Sequence, residues 1–364
     1  MRKAWWTLWG CCVICMIFDT SEATGQDSLN VTMIGLISMT SNAYGLDVSG
    51  NYAYVANGGG GLKVVNISNP TNPTLAGYYN TTDWSWDVAV SGDYAYIADR
   101  DDGLRAIDIS DPSHPTEVGY WDTPGEALGV AVRQPYAYVA DGVGGLRILS
   151  LANPAHPIEI SSYYLSFGCA YGVAVSGNYT YIAYGFIGLK VVDITNVYNP
   201  TEIGYCDTPG EAHGIAVVHP YAYIADRLGG LRIINIEQPA NPMEVGFYNP
   251  PMNASGITVS GNYAYIGAEF AGLRILDVSN PSASFEVGYY DTPGHTHEIS
   301  VLGRYAYAAD YLYFEIFDCS RALPVESSHG SNIPGRSTLF PAYPNPFNPT
   351  TTLSFALPSP AGSE

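Results

Sequence analysis

The chain has 364 residues, 47% of them hydrophobic, 13% aromatic and only 13% charged, so apolar side chains suffice for a large core and general disorder is excluded. Fourteen Lys and Arg stand against 34 Asp and Glu, a formal charge of -20, which argues against phosphate backbones and anionic lipid surfaces as partners. Thirty tyrosines and 39 glycines point to many short strands joined by tight turns.

Arg2 and Lys3 precede an apolar stretch over residues 4–18, and Ser21, Glu22 and Ala23 place small residues where a signal peptidase reads. The stretch is shorter than the roughly 20 residues a membrane-spanning helix needs. Residues 1–23 are therefore expected to be a cleaved signal peptide. The mature chain would begin near Thr24, without a transmembrane helix, and be secreted or attached to a bacterial outer surface. Cleavage leaves Cys169, Cys206 and Cys319, an odd number from which no complete disulfide framework can be read.

A repeat then takes over. Tyr-Ala-Tyr or Tyr-Thr-Tyr begins at Tyr52, Tyr94, Tyr136, Tyr179, Tyr221, Tyr263 and Tyr305, in steps of 42, 42, 43, 42, 42 and 42 residues. Each unit reads as four short strands. In the second, residues 87–90 form strand one, 94–99 strand two, 104–110 strand three and 116–121 strand four. Gly103 supplies the positive φ of a hairpin, and Pro112 and Pro115 fix the turn before the last strand. Four strands in about 42 residues match the blade of a β-propeller, which buries both sheet faces against neighbouring blades. The seventh unit lacks its fourth strand, while residues 31–39, ahead of the first unit, look like one. The expected fold is thus all-β, a seven-bladed propeller over residues 31–321 closed by an N-terminal strand.

The third strands carry a family resemblance. Leu62-Lys63-Val64-Val65-Asn66-Ile67, Leu104-Arg105-Ala106-Ile107-Asp108-Ile109 and Leu189-Lys190-Val191-Val192-Asp193-Ile194 resemble the LVIVD repeat, and Phe314-Glu315-Ile316-Phe317-Asp318 departs from it most. The resemblance implies a propeller in a secreted or surface protein and implies no reaction. Past a linker at residues 322–340, Ala342-Tyr343-Pro344-Asn345-Pro346-Phe347-Asn348-Pro349 resembles the opening of the C-terminal sorting domain of type IX secretion. Residues 341–364 are expected to be a truncated start of that domain, which implies the secretion machinery as a partner.

Compact catalytic motifs are missing: the sequence holds no GxSxG elbow, HExxH helix or GxxxxGK[ST] loop. Asp99, Asp141, Asp226 and Asp310 end second strands, with Lys or Arg residues such as Arg105, Arg147 and Arg232 opening the strands that follow. A repeated ion pair or turn cap explains them better than catalysis, which needs groups in unlike environments.

The position before each first strand behaves differently. It holds Tyr44, Trp86, Leu128, Tyr171, His213, Ser255 and His297, one per blade, and these should circle one mouth of the central channel. The next residue is glycine in five units but Asp87 and Glu298 in the others. Tyr44, Trp86, Asp87, Tyr171, His213, His297 and Glu298 are the candidate ligand-binding residues. His295, His297 and Glu298 with His213 could suit a metal, but solvent-exposed loop histidines are the favoured reading, and no cofactor or metal is expected. The expected function is an interaction or scaffold module binding an extracellular protein or glycan through this mouth. The alternative is a glycan hydrolase or lyase using the same carboxylates and histidines.

Overall fold

The computed structural model describes residues 27–164 and 168–323. Residues 1–23 and 341–364, expected to be the signal peptide and sorting-domain start, lie outside the described residues, as does the linker beyond Leu323. The described residues form seven antiparallel sheets arranged as a closed ring. In the second blade the strands run Asp87–Ser91, Tyr94–Ala98, Leu104–Asp108 and Thr116–Trp121, paired in that order from channel to rim. The inner strands contact one another around the whole circle, including Thr296–Leu302 of blade seven against Gly45–Ser49 of blade one.

Strand periodicity explains why blades must pack together. Successive side chains point to opposite faces, so Ala95 and Ile97 face blade one while Tyr96 and Ala98 face blade three. Alanine keeps the neighbouring sheet close, and the following tyrosine fills the wider gap; Tyr96 and Tyr138 are fully buried. The core is consequently seven separate clusters, one at each interface between blades.

Ring closure follows the expected route. Thr32–Ala43 pairs with Tyr305–Asp318, with Thr32 opposite Asp318 and Ile37 opposite Phe314. Two details differ from the sequence reading. The second and third strands of blade seven run together as Tyr305–Asp318, and Ser28–Leu29 adds a fifth strand to the rim of blade six. The propeller also extends to Ala322, which packs at the interface between blades six and seven.

Outer strands carry a bulge with glycine beside it, as at Gly119. A Cβ there would lie 2.5 Å from the carbonyl oxygen of Pro154, in the proline turn of the next blade. Gly119→Ala must therefore push two blades apart, and a loss of about 1–3 kcal/mol in denaturant-unfolding stability is expected; an unchanged midpoint would show that this approach is not tight. Blade three has Ser161 at the equivalent place, and its hydroxyl donates to the carbonyl of Val197.

Candidate functional site

The chain enters each blade from the preceding rim and drops into the channel, so the residue ahead of the inner strand stands at the mouth. There Tyr44, Trp86, Tyr171, His213 and His297 line one cavity of about 430 Å³, together with Leu128 and Ser255. Asp87 and Glu298 line it as well. All seven candidate residues thus meet in one place.

Aromatic rings pack against each other around the wall. Tyr44 and Trp86 have centroids 4.3 Å apart, Tyr44 and His297 4.7 Å, and Tyr171 stacks on His213 at 3.9 Å. Such pairs add stability beyond the area they bury and hold their faces rigidly. The two acidic residues stand where five blades have glycine. At Gly129 a Cβ would lie 2.5 Å from the Tyr171 carbonyl oxygen of the next blade, so most blades have no room for a side chain. Asp87 accepts hydrogen bonds from the amides of Val88 and Val130, at 2.7 and 2.8 Å. Glu298 accepts from Ile299 at 3.2 Å. Deeper in the channel, Asp47 accepts from Val48 and Val90. Burial, then the nearby Asp47 charge, pushes the Asp87 carboxyl up to about 6. Burial, then Asp87, raises Glu298 well above the usual range.

The structure adds residues that sequence reading missed. Arg227, Glu269 and Tyr311 also line the cavity, from the tips of the hairpins between second and third strands. That tip has positive φ in every blade, with glycine at positions 58, 142 and 185 but Arg100, Arg227, Glu269 and Tyr311 in the rest, at φ of 46°, 46°, 46° and 55°. A side chain there costs about 1 kcal/mol or more relative to glycine. Backbone bonds to the next blade hold the conformation: Arg227 N–H donates to Ala254 at 2.9 Å and receives its N–H at 3.1 Å. The available signal was a turn position that is glycine in three units and a long polar residue in four.

These tips complete a polar chain across four blades. Arg227 lies 3.6 Å from Glu211 and 3.4 Å from Glu269. Glu211 accepts from the Tyr171 hydroxyl at 3.1 Å, and Glu269 lies 3.4 Å from His295, whose Nδ1 is 3.1 Å from Nε2 of His297. The histidines were expected to be solvent-exposed; instead His213 and His295 keep only 22% and 20% side-chain exposure, because the mouth folds around them. Burial, then the Arg227 charge, pushes His213 down to about 4. Burial, then His295, pushes His297 down to about 3. Both are neutral at physiological pH. Among the described residues, no three His, Cys, Asp or Glu side chains converge to hold a metal ion.

The repeated aspartates tie each hairpin to its blade's lead-in. Asp226 accepts from the Thr208 hydroxyl at 2.6 Å and the Gly210 amide at 2.7 Å, and Asp141 from Arg147 at 2.9 Å. The pairing is the expected one. Its setting is buried, with no exposure at Asp99, Asp141, Asp226 or Asp310.

Comparison with known proteins gives the fold wide company. The computationally designed Ika8 protein aligns with a TM-score of 0.59 and 9% identity, over 81% of this chain and 100% of its own. BamB from Moraxella catarrhalis aligns with a TM-score of 0.55 and 13% identity, over 82% of this chain and 99% of its own. At such identities the likeness shows the fold alone. No curated protein matches. The LVIVD repeat matches seven times, over residues 41–81, 84–123, 124–164, 167–208, 209–250, 252–292 and 293–324, and with the seven blades so accounted for, the chain belongs to the LVIVD repeat family.

Proposed function

We propose that the propeller is a rigid interaction scaffold that works outside the cell and binds a protein or glycan through its channel-mouth face. The observation that carries this reading is where the repeat breaks its own rule. Inside the blades the same residues recur because packing demands them. At the mouth seven lead-in positions hold five residue types, four hairpin tips bear side chains in a backbone conformation suited to glycine, and most of these line one cavity. Blade packing requires none of that variety. Aromatic faces with polar neighbours are what protein and sugar interfaces use. The enzyme alternative has less behind it, since Asp87 holds inner-strand amides with both oxygens. Residues 1–23 and 341–364 support export by type IX secretion through their sequence resemblance alone.

The test compares capture of extracellular proteins and of arrayed glycans by three immobilised versions of the folded chain. Trp86→Ala/His213→Ala alters the mouth, and Tyr198→Ala alters an exposed turn at the other end of blade four. A genuine partner should be retained by the parent and by Tyr198→Ala, and weakened about tenfold or more by the mouth variant. Equal retention by all three would exclude the mouth as the binding face.

A further inference from the structure

The mouth has two features that a general binding face does not require, and they are complementary. The first is a set of carboxyl groups with no cationic partner beside aromatic rings. Asp47, Asp87 and Glu298 make no ion pair among the described residues, although all three carboxyls sit at or just below the cavity. Arg227 is the cavity's cationic side chain, and Glu211 and Glu269 already flank it. Tyr44 and Trp86, their rings packed against each other, line the same space. A cation in this setting gains from both the carboxylates and the π-faces. Burial, then a neighbouring carboxylate, raises both Asp87 and Glu298, and an entering cation would favour their ionised forms.

The second feature is an apolar crown. The residue following each hairpin tip is Val143, Phe186, Leu228, Phe270 or Leu312 in five consecutive blades, and Gly59 or Asp101 in the other two. Phe186, Leu228 and Phe270 are 77%, 89% and 64% exposed. These side chains fill no blade interface, and they stand on the same rim as Arg227, Glu269 and Tyr311. Exposed apolar groups grouped around a cavity mark an interaction surface.

We propose that the mouth receives a lysine or arginine side chain from an extended segment of a partner polypeptide, the cation seated beside Asp87 and Glu298 against the aromatic wall while the flanking apolar residues rest on the crown. This deepens the scaffold reading and rests on it for the polypeptide, but the cation site can be tested by itself. A neutral sugar would leave the carboxylates uncompensated and the crown uncovered, and an anion would be repelled by both the site and the chain.

Calorimetric titration of the full chain with n-butylammonium, a lysine side-chain head, tests the site, with n-butanol as the isosteric neutral probe. Butylammonium should bind, butanol should bind about tenfold more weakly or not at all, and Asp87→Asn/Glu298→Gln should remove the preference. Equal binding of the two probes, no binding of butylammonium, or a preference that survives the double variant would overturn the cation site. If that variant melts far below the parent, Trp86→Leu, which leaves the inner-strand amides paired, takes its place and should also reduce the preference. The crown is tested with acetyl-Leu-Lys-Leu-amide against acetyl-Gly-Lys-Gly-amide. The leucine peptide should bind more tightly to the parent, and Leu228→Ser/Phe270→Ser should erase the difference. Butylammonium binding without any gain from leucine would keep the cation site and overturn the polypeptide reading.

Discussion

Replacing Glu315 by glutamine should flatten the fall of stability with pH and leave the variant more stable than the parent at alkaline pH by several kcal/mol. Six blades carry Lys63, Arg105, Arg147, Lys190, Arg232 or Arg274 at this point of the third strand. Five of those cations lie over an aromatic ring of the outer strand, at 4.5 to 5.0 Å from its centroid. Blade seven has Glu315 instead, opposite Leu36, fully buried and with neither carboxyl oxygen hydrogen-bonded. Burial, then the charge of buried Asp310, pushes its carboxyl up to about 9 from an ordinary 4.5. The proton is thus held more tightly in the fold than in the unfolded chain. The corresponding stability is complete below the ordinary value and is lost as pH rises toward the folded one, at about 1.4 kcal/mol per pH unit. Glutamine cannot ionise, so its profile should lack this component. Near pH 5 the two proteins should agree within about 1 kcal/mol, and near pH 9 the variant should lead. Urea unfolding at both values is the measurement. Parallel profiles would mean that Glu315 stays paired or hydrated.

Most of the fold was legible because a propeller states its rule seven times. The Tyr-Ala-Tyr spacing located every second strand, and the unit with a missing strand matched the spare strand ahead of Tyr44. The candidate mouth residues could also be named, since each is fixed by its offset from an inner strand. What stayed hidden depends on contacts between elements far apart in sequence. Arg227 and Glu269 look like ordinary turn residues until the hairpin tip meets the next blade's lead-in at Ala254 and Thr296. Likewise, nothing local in Asp99 or Asp141 tells a solvated turn cap from a buried one; the blade's own lead-in, 14 or 16 residues earlier, decides it by donating to them from Ser85 and Gly125. The short edge strand Ser28–Leu29 has no repeat partner to announce it.

Deleting residues 31–40 should cost a large share of the propeller's stability. These residues supply most of Thr32–Ala43, the outer strand of blade seven. Their loss exposes the edge of Tyr305–Asp318 and uncovers two interfaces at once. Val31 is buried between blades six and seven with Met33 against it, and Ile34, Ile37 and Met39 pack between blades seven and one. A fully buried side chain of this size contributes about 1.5–3 kcal/mol, so even half-buried ones bring the sum to roughly 5 kcal/mol, comparable with the whole stability of many domains. The truncated chain should therefore melt far below the parent or fail to fold cooperatively. Removing residues 24–29 instead should change stability by about 1 kcal/mol or less, because Ser28–Leu29 merely extends an already complete blade. A synthetic peptide spanning residues 30–43, added to the truncated chain, should restore much of the lost thermal stability, since its pairing partners in blade seven belong to the rest of the ring. A truncated chain that melts at the parent's temperature would show that the ring does not depend on this strand for its closure.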